Sequence, residues 1–164
     1  MRWDKLIRLF KVEDKDYIVN SHYEIYSREY QYDLSFRDFI MERVNGFVAR
    51  SDNKENIWVL EIEGKQRGSI SILKVNDDVA QLGLLLVEPD LRGLGYGERL
   101  VQRAIDFCKE KGYQKIILWT NSELKSARCI YKRMGFELKL TRVQTLSNRE
   151  VQEELWELSI SEVV

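Results

Sequence analysis

Stretches of helical and strand periodicity alternate along the chain. A short strand-like run at about residues 6–10 leads into two helical stretches, about 13–30 and 35–50. In the second, Phe36, Phe39, Ile40, Val44 and Phe47 recur at helical spacing. Asp52-Asn53-Lys54-Glu55-Asn56 is a polar loop. Strands over residues 57–63 and 68–73 are joined near Gly64-Lys65, a pair suited to a hairpin turn. Residues 79–87 are almost continuously apolar, as in a strand covered on both faces. After a glycine-rich turn, a helix to about Lys111 carries Leu100, Val101, Ala104, Ile105 and Cys108 on one stripe. Gly112 ends it, since glycine tolerates the left-handed conformation common just past a helix end. Residues 116–120 read as another buried strand. Asn121 or Ser122 is placed to cap a helix with Glu123 in its first turn and Leu124, Ala127, Ile130, Tyr131 and Met134 along one side. Gly135 stops that helix, and strands at about 136–142 and 152–160 finish the chain, separated by a loop over 144–150. The expected class is α/β (α+β mixed), a mixed sheet with helices packed against it.

Length and composition narrow the class further. The 164 residues suit one domain spanning 1–164, and no repeat, linker or proline-rich hinge interrupts them; Pro89 is the single proline. A net charge of -1 gives no electrostatic case for nucleic-acid binding. No apolar run approaches the ~20 residues that span a bilayer. Met1-Arg2-Trp3-Asp4-Lys5 enters a strand-like stretch without the apolar segment of a signal peptide, so a cytoplasmic protein is expected. Cys108 and Cys129 form no CxxC pair, and His22 is the single histidine, so no metal site is expected. Both cysteines are read as buried free thiols.

The chemistry concentrates at Arg92-Gly93-Leu94-Gly95-Tyr96-Gly97, between a buried strand and an amphipathic helix. Glycines let the backbone approach a ligand closely, and the first turn of a helix offers N–H groups with no internal partner. The helix dipole favours an anion there, so a phosphate suits the position. The spacing matches neither the dinucleotide GxGxxG nor the P-loop, which weakens a reading as an ATP or NAD module. A tight turn that merely needs small residues is the plain alternative.

The longer run Leu84-Leu85-Leu86-Val87-Glu88-Pro89-Asp90-Leu91 into that turn resembles the coenzyme-binding motif of the GNAT superfamily of N-acetyltransferases, a strand followed by Arg/Gln-x-x-Gly-x-Gly/Ala, met by Arg92, Gly95 and Gly97. Downstream, Ala127, Tyr131, Gly135 and Phe136 resemble the family's block Ala-x-x-x-Tyr-x-x-x-Gly-Phe. Leu118-Trp119-Thr120-Asn121 and Leu155-Trp156-Glu157-Leu158 look most like the acetyltransferase half of bacterial MarR–GNAT fusion proteins; no winged-helix segment is seen, so DNA binding is not carried over. The resemblance implies a GNAT-like, mostly antiparallel sheet of about six to seven strands with about four helices. It also implies acetyl-CoA as cosubstrate and a small-molecule amine or a protein amino group as acceptor. No nucleic-acid or membrane partner is implied, and a homodimer is left open.

Site roles follow from the same resemblance. Leu85, Leu86 and Val87 would bond the pantetheine arm through their backbone, with the Val87 N–H polarising the thioester carbonyl. Residues 92–97, with Asn121 and Ser126, would complete the coenzyme site. Tyr131 would be the proton donor to the leaving sulfur; a helix tyrosine packed on the sheet is the plain alternative. Where some relatives carry a glutamate base this chain has Gln81, which leaves Glu61 or Glu88, or no base at all. Tyr26 and Tyr30, near Glu24, Glu29 and Asp33, are candidates to attract an amine by charge and cation–π contact; Tyr23, Tyr26 and Tyr30 at helical spacing simply covering the core is the plain alternative. A non-catalytic acetyl-CoA sensor or scaffold is the competing reading.

Overall fold

The computed structural model describes residues 6–160; the opening Met1-Arg2-Trp3-Asp4-Lys5 lies outside them. The elements run β1 (Ile7–Leu9), α1 (Asp14–Tyr30), α2 (Leu34–Arg50), β2 (Asn56–Ile62), β3 (Lys65–Lys74), β4 (Val79–Val87), α3 (Tyr96–Glu110), β5 (Lys115–Asn121), α4 (Lys125–Arg133), β6 (Glu137–Leu146) and β7 (Arg149–Ser159). The seven strands form one sheet in the order β1-β2-β3-β4-β5-β7-β6. Every neighbouring pair is antiparallel except β4 and β5.

Helices cover both faces, and the alternation within each strand separates two cores. Trp58 and Leu60 of β2 join Leu100, Val101, Ala104, Tyr131 and Phe136 on the face covered by α3 and α4. Ile57 and Val59 join Ile18, Val19, Ile40 and Val44 beneath α1 and α2. Glu63 and Gly64 take left-handed backbone (φ 53° and 77°), making the expected hairpin turn.

β4 breaks its own alternation. Ala80 and Leu82 face the α3 core, yet Leu84 packs into the α1–α2 core, and Leu85 and Val87 return to the α3 side. The cause is a bulge: Leu84 has φ 51°, and the β3–β4 register slips between Ser69 and Ser71. One extra residue on one strand exchanges the faces of everything after it. The Ser69 hydroxyl donates to the Leu84 carbonyl at 2.7 Å and holds the kink. β4 and β5 therefore pair only over Val79↔Lys115, Ala80↔Ile116 and Gln81↔Ile117. Beyond these pairs the two strands part.

Three expectations are corrected. The loop over 144–150 is instead the tip of a long hairpin, turned by Ser147 and Asn148 with φ 51° and 61°. Neither Asn121 nor Ser122 caps α4. The Asn121 Oδ1 accepts from the Glu123 N–H at 3.0 Å in a turn of its own, and the helix begins only at Lys125. Cys129 is exposed, unlike the buried Cys108, because it stands on the side of the short α4 opposite Ala127 and Tyr131.

Candidate active site

Where β4 and β5 part, a cavity of about 630 Å³ opens, walled by α1, α2, α4 and the β6–β7 hairpin. Leu84 and Leu85 line it from β4, Trp119 and Asn121 from β5, and Ala127 and Tyr131 from α4. The backbone of β4 is aimed into the gap. Glu88 N–H bonds to Arg67 O on β3 at 3.0 Å. Successive amides on a strand alternate in direction, so Leu86 faces β3 while Leu85 and Val87 present their N–H groups to the unpaired side. Buried N–H groups need partners, and a chain-like ligand in the gap would supply acceptors.

The glycine turn follows directly. Gly93 and Gly95 have φ of 80° and 91°, and a side-chain carbon at either would meet nothing within 4 Å. Both need glycine for conformation, and both leave the approach to the α3 N-terminus open. The residues present thus fit a diphosphate. Gly97 is different: it is buried, and a Cβ there would come within 2.6 Å of Ile130 Cδ1, so it sets the spacing of α3 and α4. Tyr96 is buried with it, and Leu94 is exposed. Arg92 makes a two-pronged pair with Glu29 of α1, both contacts at 2.8 Å. Ser126 is exposed in the first turn of α4.

Tyr131 is 5% exposed and packs its ring against Phe136. Burial raises its phenol above the ordinary tyrosine value, so it stays protonated and able to donate. Asn121 also donates through Nδ2 to the Tyr32 hydroxyl, tying β5 to the α1–α2 connection. Tyr26 reaches the cavity and stacks on Phe36, centroids 4.9 Å apart. Tyr30 is not among the lining residues; its ring packs on Tyr26, and its carbonyl accepts from Arg149.

The remaining carboxylates lie elsewhere. Glu61 accepts from Arg8 at 3.0 Å. Glu88 accepts from Tyr17 at 2.8 Å and Arg67 at 2.9 Å. Asp33 binds Ser35 and Ser147. None of these, nor Glu24 or Glu29, lines the cavity. The lining carboxylate is Glu153, from β7, and Arg142 holds it at 2.6 Å. Sequence reasoning did not single out Glu153, Arg142, Arg43, Trp119 or His22 for this site; only the pairing of distant strands brings them together. His22 is buried, with Nδ1 donating to the Ile18 carbonyl at 2.7 Å, and burial pushes its pKa down to about 4. Among the described residues no metal-binding cluster occurs, and no helix is long and apolar enough to cross a membrane.

A seven-stranded mixed sheet, parted at its one parallel pair beside a glycine turn and flanked by four helices, defines an α/β fold built around a cleft. The model of the Acetyltransferase (GNAT) family matches residues 16–136, and the chain belongs to that family. It is similar to an uncharacterised N-acetyltransferase of Methanocaldococcus jannaschii, 34% identical over 93 residues, which are 53% of this chain and 41% of that protein. The chain thus spans about two fifths of that relative's length. Among solved structures, a protein of Salmonella typhimurium assigned as an acetyltransferase, with its cofactor acetyl-CoA, superposes with a TM-score of 0.76 at 17% identity, covering 96% of this chain and 95% of that one. The ribosomal-protein-S18-alanine N-acetyltransferase of Escherichia coli gives 0.72 at 20% identity, covering 96% and 95%.

Proposed function

We propose that this chain is an acetyl-CoA-dependent N-acetyltransferase that moves an acetyl group to a primary amine by direct attack. The observation that carries the reading is the parting of β4 from β5, which leaves the outward amides of Leu85 and Val87 without a strand partner beside the cavity that Leu85 and Tyr131 line. When bound, acetyl-CoA supplies an activated acyl thioester. Residues 92–97 would hold its diphosphate through backbone N–H groups, and Arg92 would have to trade Glu29 for a phosphate oxygen to join them. Asn121 and Ser126 would border the same arm. The Val87 N–H would stabilise the negative charge growing on the carbonyl oxygen, where a fixed donor in a dry site acts most strongly. Tyr131 would then pass its proton to the departing sulfur.

Admitting a lysine-like amine in neutral form at pH 7 costs roughly 4–5 kcal/mol. Glu61 or Glu88 would share in removing its proton only through intervening water, because arginines hold both outside the cavity. Tyr26, with Tyr30 behind it, would border the amine. The likeness to MarR–GNAT fusion proteins extends this proposal to their acetyltransferase half alone.

Release of free thiol from acetyl-CoA in the presence of an amine panel tests the reading. Turnover is expected, and Tyr131→Phe should slow it by about 10²-fold or more while calorimetry shows unchanged coenzyme affinity. Coenzyme binding with no thiol release from any amine would instead favour a non-catalytic sensor, a reading supported by the absence of an unpaired carboxylate among the lining residues.

A further inference from the structure

The cavity's charge identifies the kind of acceptor it suits. Two arginines line it. Arg142 stacks on Trp119 at 4.1 Å, and Glu153 meets its charge at 2.6 Å. Arg43, on α2, lies over the Phe39 ring at 4.7 Å, and among the described residues no carboxylate bonds to it. The charged group acting on it is Arg50, another cation. With Glu153 already paired, the wall keeps one uncompensated positive charge in an aromatic, half-buried setting. A desolvated cation without a counterion is unfavourable, and an anion brought by a ligand would remove that cost. With its Cζ over the Phe39 ring and no carboxylate bonded to it among the described residues, the guanidinium has N–H groups to offer in the planar, two-pronged bonding that carboxylates accept.

We propose that the acceptor is a small primary amine that itself carries a carboxylate, as an amino acid does, with Arg43 binding that carboxylate. This rests on the acetyltransferase reading above. The aromatic rings of Phe36, Phe39 and Trp119 hold the rest of the molecule, and its amine points toward Leu85 and Tyr131. Purely cationic acceptors are disfavoured, because like charge meets them at the wall.

Calorimetry on the protein saturated with CoA tests this. Leucine, phenylalanine and 4-aminobutyrate are titrated beside isoamylamine, phenethylamine and propylamine, which lack the carboxylate, and beside spermidine. At least one acid should bind about tenfold more tightly than its partner amine, the range of one charge-assisted pair. Arg43→Met should bring that ratio to within about twofold, and Arg43→Lys should keep part of it. Coenzyme affinity checks that each variant is folded, and Arg43→Gln replaces Arg43→Met should the latter fail to fold. The proposal is overturned if no acid binds, if the amines or spermidine bind as tightly as the acids, or if the preference survives Arg43→Met. Thiol release from acetyl-CoA in parallel samples separates the two claims. Acids that bind without thiol release uphold the Arg43 site and refute transfer; release driven best by spermidine upholds transfer and refutes the Arg43 site.

Discussion

Tyr131 and Gly95 are set by different physics, the one by burial and the other by backbone conformation. In the proposed reaction Tyr131 serves through its proton, which burial among Phe136 and the α3 core keeps on the phenol. Because its pKa is raised, the acid form persists through the alkaline range. The rate of acetyl transfer should therefore show no fall near pH 10, where an ordinary tyrosine would titrate; a decline there that Tyr131→Phe abolishes would contradict the raised pKa. Gly95 matters for backbone shape alone: φ is 91°, and the space around it is open. Gly95→Ala should lower stability by about 1 kcal/mol from left-handed strain, seen as a reduced denaturant midpoint. It should also weaken coenzyme binding, since the new methyl stands in front of the α3 N-terminus. Gly97→Ala acts through packing instead, pressing on Ile130.

Among the elements, β4 decides the geometry. Its apolar run from Val79 to Val87 was legible as a doubly covered strand, but the left-handed kink at Leu84 was not. Leucine carries no turn signal, and the neighbouring Gly83 is the residue that would be suspected of one. The kink is imposed by β3, through the slipped register at Ser69 and the hydroxyl bond to the Leu84 carbonyl. Ser69→Ala should therefore cost about 1–2 kcal/mol in chemical unfolding. It should also lower coenzyme affinity, although Ser69 belongs to β3 rather than to the cavity lining; unchanged affinity would separate the bulge from the binding gap. Likewise the β6–β7 hairpin was read as two shorter strands and a loop, because Ser147-Asn148 lacks the glycine that usually announces such a turn.

For the whole molecule, buried ionisable groups set how stability follows pH. Burial holds His22 down to about 4, below its unfolded value near 6.5. The unfolded chain takes up that proton first, so stability falls as pH drops from 6.5 toward 4, by about 3 kcal/mol. Asp14 adds a second window. Burial pulls its pKa upward, but bonds from Arg8, Gln66 and the Lys11 N–H outweigh it and lower the pKa to about 2. Its contribution is complete above pH 4 and is lost as pH falls through 2, a change of about 2 kcal/mol. Urea unfolding across pH should show both slopes, with His22→Gln removing the upper one and Asp14→Asn the lower. Periodicity along the chain determined the helices, most strand positions and the glycine turn, because each is a local matter of spacing and backbone freedom. The family blocks added the order of the site. What only tertiary structure decided is where strands part and which charges meet there: Arg8 claims Glu61, Arg67 claims Glu88, and Arg142 claims Glu153. Those pairings join residues far apart in the chain, and no local pattern encodes them. Arg43 is left to face the cavity without an acid for the same reason.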